Sequence, residues 1–311
     1  MKPSFSRPDS LKLAGAFFAI YFIWGTTYLA AMVGLEGMKP FVLSALRYVI
    51  AGLLMAGWLV YRKMKWPDRK SIRVLMISGC LMLVGGSGLV VYGEQYINSG
   101  YAAVIVATEP LWFVLFDRKR WSFYFTNRKI IAGLLTGFAG IALFACLSNA
   151  STELRPGGLL PGTLIVLVSA TLWVGGTLYA NKNIRSGTPQ VAGTTVQLLS
   201  GGICAGLIGL LLGEWNGFHP AAIGSRAWGA LAFLVVFGSI IAYASFNWLM
   251  TVRPPAVVST HTFVNPVVAI IIGWAAAGES LSTGQVAALA VVLAGVILTQ
   301  TAKQQIAPEA E

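Results

Sequence analysis

Two stretches decide how the 311-residue chain reads: Ser99 to Phe116, SGYAAVIVATEPLWFVLF, and Pro255 to Ala277, PAVVSTHTFVNPVVAIIIGWAAA. Each is a long apolar run interrupted by a polar residue and a proline, Glu109-Pro110 in the first and Asn265-Pro266 in the second. At a rise of 1.5 Å per residue, Glu109 and Asn265 stand about 15 Å from the start of their runs. That is the midplane of a hydrocarbon core of ~30 Å. A proline inside a helix removes one backbone bond and frees the carbonyl four residues earlier, here those of Val106 and Thr262. Irregular backbone is tolerated at that depth only where it is buried in protein or lines a cavity. Matched breaks in two halves of a membrane protein point to a transport site. Pro110 and Pro266 are therefore the expected helix-break or gating positions, with packing kinks as the structural alternative.

The surrounding composition fits a bilayer. Hydrophobic residues make up 56% of the chain and charged residues 11%, against about 25% charged in a soluble domain. Ten spans are expected, giving an all-α membrane protein: Leu13–Val33, Phe41–Tyr61, Ile72–Tyr92, Ser99–Phe116, Ile130–Leu147, Leu159–Ala180, Val191–Leu212, Ala227–Leu249, Pro255–Ala277 and Gln285–Gln300. The first apolar run is too long for a cleavable signal and is read as an anchor. Residues 1–12 and 301–311 are then short tails. Cys80, Cys146 and Cys204 all fall in expected spans and suggest no disulfide framework. No CxxC, HExxH or P-loop pattern is present, so neither a metal nor a cofactor is expected.

Charge sets the orientation. With the N-terminus inside, seventeen of the 22 Lys and Arg fall in inner segments, and only Lys39, Arg155 and Arg226 in outer ones. This bias places both termini in the cytoplasm. It also accounts for the net charge of +11 without a nucleic-acid partner. Arg47 and Arg73 lie within spans.

The same layout contains a repeat. Trp24-Gly25 in the first span is matched by Trp173 and Gly175-Gly176 in the sixth. The two prolines lie 156 residues apart, and Ala139-Gly140-Ile141-Ala142-Leu143 recurs 155 residues later as Ala294-Gly295-Val296-Ile297-Leu298. Five spans per half is an odd number, so residues 13–147 and 159–300 enter the membrane from opposite sides. Such inverted-topology repeats are common in secondary transporters. Gly133-xxx-Gly137 and Gly202-xxx-Gly206 are expected to be close-approach surfaces between helices.

On these residues the chain resembles the EamA branch of the drug/metabolite transporter superfamily. The resemblance rests on Trp24-Gly25, Arg47, the Pro110 span and Asn265-Pro266. It rests also on Gly278-Glu279-Ser280-Leu281 followed by Gln285 and Ala294-Gly295. It implies a bacterial inner-membrane secondary transporter, and within the family the overall similarity is to exporters of aromatic amino acids. One departure is Asp117-Arg118-Lys119-Arg120, which stands where members often carry a Gly-Glu pair.

The candidate substrate-binding residues are Trp24, Tyr92, Gln95, Glu109, Trp173, Tyr243, His261 and Asn265. Of eleven acidic residues, only Glu109 falls in the midplane. An intramembrane carboxylate normally faces a bundle interior or a wet cavity. It would bind a substrate ammonium or accept a coupling proton; a protonated acid tying helices together is the alternative. His261 and Asn265, four residues apart, share one helix face and offer hydrogen bonds to an amino acid backbone. Trp24 and Trp173 would wall an apolar pocket, with Tyr92, Gln95 and Tyr96 at its outer end and Tyr243 a further candidate. The implied partners are amino acids, the lipid bilayer and, as an open candidate, protons.

Two other readings remain. A carboxylate among aromatics also suits amphipathic cations and drugs, through cation–π contacts. More remotely, Gly85-Gly86-Ser87-Gly88 fits the pattern around an intramembrane protease serine, with His261 as its base.

Overall fold

Long apolar runs fold as helices here because a backbone in hydrocarbon must satisfy its own polar groups. A computed structural model describes residues 10–93, 96–97, 102, 105–147, 159–277 and 282–302. Among these, the helices are α1 (Ser10–Leu35), α2 (Pro40–Tyr61), α3 (Arg69–Gly93), α4 (Glu109–Phe116), α5 (Trp121–Thr126) and α6 (Arg128–Leu147), then α7 (Leu159–Asn183), α8 (Gln190–Leu211), α9 (Ser225–Val252), α10 (Pro255–Val258), α11 (His261–Ala277) and α12 (Thr283–Gln300). No strand occurs among the described residues. Seven helices, α1, α2, α3, α7, α8, α9 and α12, are long and apolar enough to cross a membrane. The corner between Arg118–Thr126 and Arg128–Phe144, bent by 92°, makes an eighth span if counted as one.

Helix starts are written in the sequence. Pro40 opens α2, where its missing N–H costs no helical bond. The Glu214 carboxylate, reaching over from the turn after α8, accepts the amides of Phe41 at 2.7 Å and Val42 at 3.3 Å. Gly213, at φ +68°, makes the left-handed exit from α8 that brings Glu214 round. Asp68 caps α3 by accepting Ser71 N at 3.0 Å, and its other oxygen pairs with Arg185 at 2.7 Å. The Ser71 bonds hold the Asp68 carboxyl below its ordinary range, and Arg185 adds to the effect. Ser282 and Gln285 close a reciprocal capping box on α12, so Gln285 of the family motif is a helix cap.

The two prolines differ from expectation and from each other. Pro110 stands just past an interruption rather than inside a helix: helical residues 105–106 give way to a turn at Ala107-Thr108. The chain turns at Thr108, whose carbonyl accepts Leu111 N and Trp112 N, and α4 begins at Glu109 with Pro110 in its first turn. The amide that Pro110 lacks falls in that first turn, where amides have no partner within their own helix. Pro266 lies inside α11, which runs through it from His261 to Ala277. The interruption lies about two turns earlier, between α10 and α11. There the hydroxyls of Ser259, Thr260 and Thr262 each bond back to a carbonyl three residues before them. Such back-bonding loosens a helix. The Ser99 end of the fourth expected span and the Gly278–Leu281 motif lie outside the described residues.

The packing is reciprocal between halves. A Cβ on Gly140 of α6 would meet Val292 N of α12 at 2.7 Å, and one on Gly295 would meet Gly137 Cα at 2.6 Å. Each residue of the second contact lies 155 positions from its counterpart in the first. The same holds between α2 and α8 at a spacing of 150: Gly52 faces Leu199 N at 3.1 Å, and Gly202 faces Val49 N at 2.7 Å. Both pairs of contacts thus have the form i to j and j to i. Gly133, Gly137 and Gly202 are thus close-approach positions, as their spacing suggested; Gly206 is looser, 3.6 Å from Ala45 Cβ.

Three spans contain wide, π-type turns that the apolar pattern did not reveal: Ala19–Ile23 in α1, Cys80–Gly88 in α3 and Leu234–Ala242 in α9. The last two are equal in length and 154 residues apart. A wide turn shifts the bonding register and leaves carbonyls open, and such turns concentrate at functional sites.

Candidate functional site

The aromatic centre is assembled by glycines. A Cβ on Gly25 would meet Val268 Cβ at 2.5 Å, so α11 lies directly on α1 beside Trp24. A Cβ on Gly86 would meet Trp173 Cε3 at 2.7 Å, which seats Trp173 on α3. The two indoles consequently touch edge to face, with ring centroids 5.9 Å apart. His261 lies 4.9 Å from Trp24, and Tyr243 lies 6.4 Å from Trp173. Phe246, which the sequence reading missed, packs on both indoles at 5.3 and 5.4 Å and is fully buried. Four of the eight candidate residues, from α1, α7, α9 and α11, therefore meet in one cluster.

Glu109 opens α4, which packs against α7 and α10. It is 6% exposed, and its Oε2 is buried without a hydrogen-bond partner among the described residues. Trp173 Nε1 is buried and unpartnered in the same way. Native interiors rarely leave such groups unmet.

Asn265 lies in the same region with its donors engaged. Oriented with its nitrogen toward them, its amide donates to the carbonyls of Ile20 at 2.9 Å, Tyr21 at 3.0 Å and His261 at 3.1 Å. Ile20 and Tyr21 belong to the wide turn of α1, so Asn265 pins that turn. The other two wide turns are held similarly. Ser169 Oγ donates to Gly86 O at 2.8 Å, and Trp24 Nε1 donates to Gly238 O at 3.0 Å. The His261 ring nitrogen Nδ1 sits 3.3 Å from the carbonyl of Val258.

Tyr92 is in a separate cluster, packed on Phe41 and Tyr96 at ring distances of 6.3 and 6.0 Å. Gln95 lies outside the described residues.

A polar network also escaped the sequence reading. Gln197 of α8 donates to Ser78 Oγ at 2.8 Å and accepts from Tyr243 Oη at 3.1 Å and Asn247 Nδ2 at 2.8 Å. The signal was available: Gln197 and Asn247 are amides inside apolar spans, where polar side chains commonly tie helices together. A second lock joins Tyr21 Oη to Thr260 Oγ1 at 2.7 Å, with Gln300 Nε2 donating to Tyr21 at 2.8 Å. The protease alternative finds no dyad, since Ser87 bonds to Tyr48 at 3.1 Å and His261 to Val258. Among the described residues, no cluster of His, Cys, Asp and Glu could hold a metal.

Comparison with known proteins gives the family. The profile of the EamA-like transporter family matches the chain twice, over residues 12–146 and 160–301. "Uncharacterized inner membrane transporter YedA" of Escherichia coli K12 is 33% identical over 94% of this chain and 92% of its own length. "Uncharacterized transporter YvbV" of Bacillus subtilis is 24% identical over 90% and 88%. Protein PagO of Salmonella typhimurium is 30% identical over 56% of each chain. A solved crystal structure shares the fold, with a TM-score of 0.71 over 94% of this chain and 96% of that one, at 20% identity. Both halves match the profile, and a relative one-third identical aligns nearly end to end. The chain belongs to the EamA-like transporter family, which marks it as a transporter rather than an enzyme.

Proposed function

We propose that the protein exports amino acids, aromatic and other neutral ones with broad specificity, across the bacterial inner membrane. In this reading it works by alternating access around a midplane site. The chain crosses the bilayer ten times in two inverted five-span repeats, with both termini cytoplasmic. The observation that carries the substrate class is the meeting of Trp24, Trp173, Phe246 and His261 beside the helix of Glu109. It offers rings for a side chain, and Glu109 offers a buried Oε2, without a partner among the described residues, for an ammonium. Few polar groups set against a broad apolar wall select the common moiety and tolerate varied side chains. In this reading the chain is most like the aromatic amino acid exporter YddG within the family. The reciprocal glycine contacts and the doubled profile match support the repeat.

The deciding experiment is uptake by purified protein in liposomes, with a panel of labelled amino acids and an imposed pH gradient. Transport of quaternary ammonium ions and of no amino acid would favour amphipathic cations instead. That second reading draws on the same unmet Glu109 oxygen and on the ring cluster.

Two further results are expected. Glu109→Gln keeps the size of the side chain but cannot exchange a proton. If Glu109 carries the coupling proton, this variant transports without response to the pH gradient; an unchanged rate and pH response would leave it a structural role. For topology, Lys65→Cys in a cysteine-free background should resist an impermeant maleimide added outside intact cells, and Lys39→Cys should react. Efficient labelling at position 65 would reverse the orientation.

A further inference from the structure

One intramembrane cation has no role in the site described above. Arg47 of α2 stands about 10 Å into its span by helical rise. Its Nε donates to Ser239 Oγ at 2.7 Å, and its guanidinium carbon lies 5.0 Å from the Tyr48 ring centre. Ion pairs among the described residues are Arg120–Asp117 and Arg185–Asp68; none reaches Arg47. A guanidinium carries five N–H donors in a fixed fork, and the Ser239 bond uses one. The side chain is half-buried, so it is neither sealed in the core nor fully free.

Its position relates it to the aromatic cluster. A Cβ on Gly238 would meet Arg47 Nη2 at 2.7 Å and Thr27 Cγ2 at 3.0 Å. The carbonyl of the same Gly238 accepts Trp24 Nε1 at 3.0 Å. Guanidinium and indole therefore flank one residue of the wide turn of α9. Thr27 is one turn along α1 from Trp24.

We propose that Arg47 binds the carboxylate of the transported solute, an organic acid group attached to an apolar or aromatic body that rests on Trp24. The chemistry favours this over the arrangement expected from sequence, in which Asn265 and His261 receive the carboxylate. All three interactions of the Asn265 amide nitrogen go to backbone carbonyls. Arg47 retains a forked set of donors matched to the two oxygens of a carboxylate. The Ser239 bond fixes the fork's orientation, and a polar residue at this depth is otherwise costly to keep. The inference deepens the amino acid reading: it rests on that reading for the ammonium partner but not for the carboxylate.

The test uses purified full-length protein in detergent and three probes that share one ring: L-phenylalanine, 3-phenylpropionate and phenethylamine. Binding is read by calorimetry for the wild type, Arg47→Gln, Arg47→Lys and Ser239→Ala. The expected result is that 3-phenylpropionate binds the wild type and loses about 10- to 100-fold in Arg47→Gln, the scale of hydrogen bonds to a charged group. Arg47→Lys and Ser239→Ala fall between, because the charge remains while the fork or its anchor is lost. Phenethylamine binding stays unchanged in all variants and reports that each is folded. Equal loss of 3-phenylpropionate and phenethylamine in Arg47→Gln overturns the proposal and leaves Arg47 a strut between α2 and α9. So does equal 3-phenylpropionate binding by wild type and Arg47→Gln, or no binding by the wild type. If 3-phenylpropionate binds in an Arg47-dependent way while phenylalanine does not, the carboxylate site stands and the amino acid reading falls.

Discussion

Leucine at Gly295 is expected to prevent stable folding, whereas leucine at Gly57 leaves stability near wild type. A side chain at Gly295 would run into Gly137 Cα at 2.6 Å and Gly133 O at 2.7 Å. Both obstacles are backbone, so neither swings aside as a side chain would. Separating α6 from α12 would also open the neighbouring approach of Gly140 to Val292. Overpacking a close-packed interface costs about 3 kcal/mol or more when no rotamer can relieve it, a large share of a typical domain's stability. Gly57 has nothing within 4 Å of a built Cβ and sits on the exposed face of α2 with Leu53, Leu54 and Trp58. A leucine there meets only lipid. Thermal unfolding in detergent, followed by size-exclusion of the fluorescently tagged protein, compares the two. Equal stability of Gly295→Leu and Gly57→Leu would mean that α6 and α12 do not cross at these glycines.

That crossing was legible in the sequence because small residues at a four-residue spacing have one main use between apolar helices, which is to let backbones approach. The pairing of Trp24 with Trp173 was legible for a related reason: the repeat offset assigns each residue of one half a counterpart in the other. What stayed hidden was the local backbone register. The wide turns of α1, α3 and α9 contain ordinary apolar residues and glycines. A sequence read at one helical period gives no sign of a carbonyl left open. Pro110 marks an interruption but not its register, since the turn falls at Ala107-Thr108 and Pro110 stands in the first turn of the next helix. The run before it is as apolar as the run after it, so nothing marks Thr108 as a turn rather than as helix interior. Asn265 was visible as a polar residue within an apolar run, but two of its three donor contacts are to the wide turn of α1, which the pattern could not show. Arg47 is the opposite case. It was visible as an intramembrane charge, but its anchor Ser239 lies 192 residues away, and only the fold brings the two together.

The two tryptophans provide the sharpest test of the site, because they are alike in sequence and unlike in bonding. In Trp24→Ala and Trp173→Ala, transport of phenylalanine should fall more than transport of threonine, once rates are normalised to folded protein. An aromatic contact beyond area burial contributes about 0.5–1.5 kcal/mol, so the excess loss for phenylalanine should be roughly 2- to 10-fold. Both variants also remove a large buried ring, at about 3–5 kcal/mol of stability, which is why folded protein must be the denominator. Phenylalanine substitutions separate the two positions. Trp173 Nε1 has no partner among the described residues, so Trp173→Phe gives up no hydrogen bond seen there and should transport and unfold nearly as the wild type does. Trp24 Nε1 satisfies Gly238 O at 3.0 Å in the wide turn of α9, so Trp24→Phe leaves that carbonyl unmet, at about 1–3 kcal/mol. It should also loosen the turn that carries Ser239. Trp24→Phe is therefore expected to slow every substrate while keeping the phenylalanine-to-threonine ratio, and Trp24→Ala to change the ratio as well. If the alanine variants lose both substrates equally, the indoles do not form the substrate wall. If Trp173→Phe is as damaged as Trp24→Phe, the difference in their bonding does not govern the site.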